Sequence, residues 1–446
     1  MKNTSLRLSK PQEKLLFFVA GLWVVVQAVV ISDLTVSLLS LAFIVISGVL
    51  LFNSRSLLDP RVLFTSFFAL YSTWYPLRVI FSPSLILPVD HGDLAVSVNH
   101  SLVGVFSYLV VCNLLISKGD EFFSCASYES RRKSFLSENI IALIFGSIVL
   151  IMITLLYSSG ASSKQELVSE AKGINSYTVF AFLIVINYFI FRVVRSENFF
   201  RGDLPVFLIF LVSFFYMILA GERDIVFRVI LIVLVIQTDK RRNASFWFVF
   251  LLCVAAAFIA PLSQVFKAVL ISGGFDIAVI YNGLGFLFNN EFISASRNVY
   301  SVIYFGVEHS FGYLYTDVLR AFIPSIFFDS SLMSTGKWFD DVYRPENGFS
   351  GTSGWGFGYV AQGYLLGSYF GVIVVLSIVA TVNSWLFILR GKSIYWFVFY
   401  VLALLTSIYC IRADVANLFS QTFKVGGLSV IMFYLFHVLL NKRNCS

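Results

Sequence analysis

Eleven apolar runs, each long enough to cross about 30 Å of hydrocarbon as a helix, recur along the chain near 15–31, 34–52, 62–81, 94–116, 140–157, 176–194, 203–220, 244–261, 368–389, 393–411 and 420–440. A twelfth, 224–237, is shorter and opens on charge. It belongs with the others because an even number of crossings returns both termini to one side. No soluble core could take in so much apolar surface. Hydrophobic residues are 58% of the 446 and charged residues only 13%, where an average soluble protein carries about 25% charge; mean hydropathy is +0.84. The sequence therefore predicts an all-α polytopic membrane protein of about twelve transmembrane helices. Disordered, collagenous, coiled-coil and disulfide-scaffold classes are excluded. Cys112, Cys125, Cys253, Cys410 and Cys445 are scattered, so no disulfide framework or cysteine metal site is expected.

Charge then orients the chain. Of the 32 Lys and Arg, 20 fall in short segments on one side, from Lys2 and Arg7 at the start to Lys442 and Arg443 at the end. Basic loops stay in the cytoplasm, which puts both termini there. That distribution accounts for the net charge of +7 without a nucleic-acid partner. The first run has no small-residue cleavage site and reads as a retained helix. No internal repeat or inverted pair of broken helices is visible.

Three parts follow: residues 1–261 with nine helices, a large exported loop over 262–356, and residues 357–446 with the last three helices. Within the loop, 262–272, 276–288 and 291–305 read as short amphipathic helices. Pro324, Pro345 and the glycine-rich run 348–358 punctuate the remainder. Its apolar and aromatic content suggests packing on the outer membrane face, as a lid or vestibule.

An ionisable residue inside a span costs roughly 2.5–3.5 kcal/mol and is a functional candidate by default. Arg78 ends the third span beside Trp74, Tyr75 and Pro76, and reads as a headgroup anchor. Arg223, Asp224 and Arg228 open the eighth. Asp224 and Arg228 share a helix face and can pair. Arg223 then lies near a helix N-terminus, where guanidinium groups make a good phosphate site. The alternative is that these arginines snorkel to headgroups and pair with Glu222 and Asp224. No Asp or Glu lies near the middle of a span, which weakens an ion-coupled transporter.

In the loop, Glu308-His309 is an exported acid–imidazole pair, and a histidine can accept a proton from a sugar hydroxyl; the alternative is a solvated side chain. Asp317 and Arg320 are spaced to pair on one helix. Arg297 has no local acid. Asp340-Asp341 is a weak divalent-ion signal, since adjacent carboxylates point apart. Asp33 sits where a catalytic carboxylate would stand in an exported loop, but Ser32-Asp33-Leu34-Thr35 reads as a helix N-cap. Tyr300, Tyr304, Trp338, Tyr343 and Trp355 can stack on sugars or bury against the bundle. The run 348–358 needs flexible backbone and a close approach to something. Gly363, Gly367 and Gly371 recur every four residues, which predicts one smooth helix face.

In this order, the motifs resemble the O-antigen polymerases, oligosaccharide repeat-unit polymerases of Gram-negative bacteria. The matching features are about twelve spans with cytoplasmic ends, and Gly221-Glu222-Arg223 opening a mid-chain span. A late exported loop ends in a glycine-rich run and leads into Ala361, Tyr364, Gly367 and Gly371. Arg412-Ala413-Asp414 begins the last exported turn. Relatives often carry Glu where this chain has Gln362. The resemblance implies a GT-C-like glycosyltransferase with no metal or other cofactor, in the inner membrane. It would transfer a growing glycan from one undecaprenyl pyrophosphate carrier onto the repeat unit of another, beside a chain-length regulator and a flippase. Arg223 and Arg228 would then stabilise the leaving pyrophosphate, and His309 would orient or deprotonate the acceptor. Arg297, Arg320, Arg344, Arg412 and Tyr364 would contact phosphate or glycan. An O-antigen ligase and a polysaccharide-lipid flippase or other transporter are the alternatives.

Overall fold

A computed structural model describes residues 10–52, 57–81, 88–116, 172–195, 292–323, 333–347 and 356–442, with isolated helical positions between 140 and 255. The described residues are helical and contain no strand. Five helical segments among them are long and apolar enough to cross a membrane: Leu34–Phe52, His91–Leu115, Tyr359–Leu389, Ile394–Arg412 and Val415–Leu439. The protein is an all-α membrane protein.

Two compact units divide the chain. The first comprises Met1–Phe122, Ala244–Ile388 and Leu404–Ser420; the second comprises Phe123–Asn243, Leu389–Ala403 and Gln421–Ser446.

In the first unit, α1 (Lys10–Val30), α2 (Leu34–Phe52), α3 (Pro60–Phe81) and α4 (His91–Leu115) pack together. Local chemistry sets their starts. Asp33 accepts from Val36 N at 2.9 Å and Asp90 from Asp93 N at 3.0 Å, each satisfying an amide that the first helical turn leaves open. Asp33 is thus the cap that the sequence predicted. At the foot of α3, Arg61 and Asp59 form a wholly buried pair at 2.6 Å, with the guanidinium 3.9 Å from the Phe52 ring. Gln27, Ser37, Ser40 and Asn99 tie α1, α2 and α4 through a buried hydrogen-bond network.

Of the three short loop helices expected, the third forms as α6 (Phe292–Tyr304), and the first two lie outside the described residues. Nearly all residues of α6 are buried, and it packs into the body against α3 and α4. One tie is next to Pro76 near the end of α3, where Tyr75 N donates to Ser296 Oγ at 3.2 Å. Tyr300 completes the docking, donating to Pro88 O at 2.6 Å and accepting from Asp90 N at 2.8 Å. By contrast α7 (Gly312–Phe322) is inside out. It buries Thr316, Asp317 and Ala321 and exposes Tyr315, Val318 and Phe322, a pattern suited to an apolar medium rather than to water. A short helix α8 (Thr335–Trp338) continues through a π turn, Phe339–Tyr343, into Arg344–Glu346.

The Gly363, Gly367, Gly371 stripe is not one smooth face. Helix α9 (Tyr359–Leu389) breaks at Gly367 (φ 151°) and Ser368 (φ 53°, ψ −134°). The two halves close on each other at the flanking glycines. A Cβ on Gly371 would lie 2.1 Å from Gly363 O, and one on Gly363 would lie 2.5 Å from Val372 Cα. Four-residue glycine spacing serves a tight turn between half-helices as well as it serves helix pairing. The 21 residues after the break still span about 31 Å, enough for a crossing.

The second unit contains α5 (Lys172–Arg195), the first part of α10 (Ile394–Tyr409) and α12 (Leu428–Lys442), while α11 (Val415–Phe419) belongs to the first. Asn187 Nδ2 donates to Ser429 Oγ at 2.8 Å, joining α5 to α12. Phe191 and Phe433 meet edge to face at 5.4 Å.

Candidate functional site

Three polar groupings in the first unit gather most of the loop residues singled out above. The first is at the α9 break. His309 is exposed, and its ring meets the Tyr364 ring edge-on at 5.0 Å. The neighbouring chain is fixed to the break itself. Ser310 N donates to Leu365 O at 2.7 Å, which satisfies a carbonyl at the end of the first half-helix. The Phe311 ring lies so close that a Cβ on Gly367 would be 3.0 Å from it. On the other flank of Tyr364 is His100, a residue of α4 that sequence reasoning passed over. It meets Tyr364 at 5.2 Å and stacks on Tyr369 at 3.9 Å with rings 6° from parallel. The available signal was simple: an imidazole inside an apolar run.

Arginines form the second grouping. Arg297 on α6 and Arg344 after the π turn belong to neighbouring segments, which meet where the Phe305 and Tyr343 rings lie edge to face at 6.5 Å. Burial brings the Arg297 guanidinium down to about 9, opposed by Tyr75 and helped, by less, by Arg344; it stays charged at neutral pH. Arg344 reaches Asp340 at 2.9 Å across one turn, which uses one of the two carboxylates considered for a divalent ion. Beside Arg297, Asn298 Nδ2 donates to Gly356 O at 2.6 Å. Gly356 presses against the Arg412 turn so closely that a Cβ there would lie 1.9 Å from Arg412 O. Gly358 (φ 98°) donates its N–H to Ala413 O at 2.8 Å. The close approach expected of the glycine-rich run is therefore to the Arg412 turn. Arg412 itself lies 4.9 Å from the Tyr409 ring.

The third grouping is a buried latch. Asp317 accepts from Thr335 N at 3.0 Å, from the Thr335 hydroxyl, and from Gln362 Nε2 at 2.8 Å. Gln362 Oε1 in turn accepts from Val415 N at 2.9 Å. Asp414 caps α11 through Asn417 N at 2.6 Å. Burial, then the nearby Asp317, push the Asp414 carboxyl up to about 6; burial also raises Asp317, against its hydrogen bonds and Arg320. Arg320 donates to Ser334 Oγ and interacts with both carboxylates. Its position fits fastening α7 to the start of α8, beside the turn that carries Asp414.

The remaining candidates fall elsewhere. Arg223 and Asp224 lie outside the described residues. Arg228 belongs to the second unit, where its guanidinium donates to Gln421 Oε1 at 3.2 Å. Tyr300 and Tyr343 are buried, Tyr304 and Trp338 are half-buried, and Trp355 lies outside the described residues. Burial pushes the Tyr343 hydroxyl up to about 12, so it acts as a neutral group. The described residues contain no cluster of three or more His, Cys, Asp or Glu suited to a metal ion.

What the first unit offers chemically is an exposed imidazole on an aromatic platform, together with guanidiniums gathered from neighbouring segments. Like charges gathered this way favour an anionic ligand carrying more than one charge. Comparison with protein-family models, curated proteins and solved structures finds no match for the chain.

Proposed function

We propose that the chain is a glycosyltransferase that polymerises undecaprenyl-pyrophosphate-linked oligosaccharide repeat units into O-antigen or a related surface polysaccharide, at the periplasmic face of the bacterial inner membrane. The observation that carries this reading is the gathering of Arg297 on α6 with the Arg412 turn, which Gly356 presses against while accepting from Asn298, and with Arg344 on the neighbouring segment, where the Phe305 and Tyr343 rings meet at 6.5 Å. Guanidiniums gathered from neighbouring segments suit a diphosphate, whose oxygens accept parallel hydrogen bonds from each. Twelve crossings, a GT-C-like arrangement, cytoplasmic termini, and work alongside a flippase and a chain-length regulator belong to the same proposal.

The reaction balances simply. A hydroxyl oxygen of the acceptor repeat unit attacks the anomeric carbon of the donor glycan. The new glycosidic C–O bond forms as the bond from that carbon to the pyrophosphate oxygen breaks. His309 takes the hydroxyl proton, and undecaprenyl pyrophosphate leaves with the electron pair. Negative charge grows on the leaving group, where fixed cations contribute most. Arg297 and Arg344, with Arg412 on the adjoining turn, are assigned to that charge, and Tyr364 to the acceptor sugar. Sequence assigns Arg223 and Arg228 to the same charge. Arg223→Ala is expected to abolish chain growth while leaving membrane insertion intact.

Purified full-length protein given undecaprenyl-pyrophosphate-linked repeat units tests the reading. A ladder of longer glycans supports it. Transfer only to a lipid A-core acceptor would make the protein a ligase, and uptake without chain growth would make it a transporter.

A further inference from the structure

His100 makes four directed contacts, one within its own helix and three to the α9 break. Its Nδ1 lies 2.8 Å from Val96 O, a carbonyl that can only accept, so Nδ1 carries the proton. In the neutral ring Nε2 is then an acceptor, and it lies 3.1 Å from Ser368 Oγ. Ser368 is the only non-glycine residue with positive φ among the described residues, at φ 53° and ψ −134°. That conformation is costly for an L-residue and persists only where its surroundings hold it. The surroundings here are the imidazole of His100 and, through the stacked Tyr369 ring, its face. The first half-helix on the other side of the break carries Tyr364, which contacts both histidines. Finally, the residues after His309 are fastened to the break through Ser310 N and Phe311.

We propose that His100 is a positioning residue that holds the Gly367–Ser368 break in its strained form and thereby sets where the His309 imidazole stands. The proposal rests on the reading of His309 as the proton acceptor, but its structural half is independent of that chemistry. A neutral imidazole suits the task because one nitrogen is anchored to its own helix while the other reaches across to a hydroxyl. A phenyl ring would keep the stacking and lose both hydrogen bonds. A glutamine keeps a carbonyl oxygen able to accept from Ser368.

The test uses full-length protein in lipid nanodiscs and two readouts. The first is carbethoxylation of His309 by diethyl pyrocarbonate, followed by peptide mass spectrometry, with exposed His91 as the internal reference. His100→Phe and Ser368→Ala should each change the His309 rate at least threefold, the double variant should do no more than either alone, and His100→Gln should restore it. The second readout is chain growth. His100→Phe is expected to lower kcat about 10²-fold, the scale of a small misplacement of a reacting group, with KM for the lipid-linked donor unchanged. If His309 labelling is the same in wild type, His100→Phe, Ser368→Ala and the double variant, the positioning role is wrong. The role is equally wrong if the two single effects multiply in the double variant. Labelling that shifts as expected in a protein with no polymerising activity would uphold the positioning role and remove the polymerase reading.

Discussion

At position 362 an amide does what a carboxylate cannot. Gln362 donates to one partner, Asp317, and accepts from another, Val415 N. Gln362→Glu would place two carboxylates within hydrogen-bond distance, and one would have to take up a proton. The variant should lose about 1–3 kcal/mol of stability at neutral pH and recover part of it in mild acid. Thermal unfolding at pH 7.5 and pH 5 checks this, and an unchanged melt at pH 7.5 contradicts the latch. Asp414 fixes the sign of a second pH effect. Its folded-state value of about 6 exceeds the ordinary carboxylate value of about 3.9, so the folded protein holds this proton more tightly than the unfolded chain. The contribution is complete below about pH 4 and is lost as pH rises through about 6, so stability falls with pH across that window. Asp414→Asn, which preserves the helix cap, should flatten the slope; the same slope in the variant would point to another group. Sequence pattern brought Asp317, Arg320 and Gln362 into view, but the bond that explains the amide joins positions 45 apart. No local spacing encodes it. His100 was missed for a different reason: one imidazole barely lowers the hydropathy of the long apolar run around it.

Between residues and the whole chain, the break in α9 decides the geometry. Gly367→Ala would force an alanine to φ 151° with its Cβ 3.0 Å from the Phe311 ring. A strained backbone position of this kind costs about 1–3 kcal/mol. Gly371→Ala should cost more, because the Cβ would meet backbone, Gly363 O at 2.1 Å, which has little room to give. Thermal unfolding in nanodiscs ranks them, and the reverse order would mean that the half-helices do not meet at their glycines. Much of this scale was legible. The apolar runs gave the positions of α1 to α5 and the later spans within a few residues, and Asp33 read correctly as a cap. One reading failed because a periodic pattern shows which residues lie together but not against what. The glycine repeat fits both a straight packing face and a reversal. The amphipathic 291–305 segment shows the same ambiguity: its pattern predicts a helix but not its partners, which are α3 and α4.

Over the whole molecule, the charge arithmetic that orients the chain counts residues and not exposures. Arg61 is among the cytoplasmic basic residues by sequence, yet it is fully buried and paired with Asp59. Removing one partner of such a pair strands the other charge, so Asp59→Ala should destabilise the protein by about 3–5 kcal/mol, read by chemical unfolding. A value within error of wild type would show that the pair is solvated. The polymerase proposal belongs to this scale too, because it joins a membrane body to a lipid-linked substrate through cations that sequence could identify only one by one. The juxtaposition of Arg297 with Arg344 depends on how α6 and the π turn pack, and their separation of 47 positions hides it from any motif. The most direct test is glycan chain growth by the full-length protein on undecaprenyl-pyrophosphate-linked repeat units, with Arg297→Ala and Arg344→Ala beside the wild type. The account predicts a polymer ladder from the wild type and a loss of about 10²–10³-fold in kcat from each variant. Full-length polymer from both variants at the wild-type rate would contradict it.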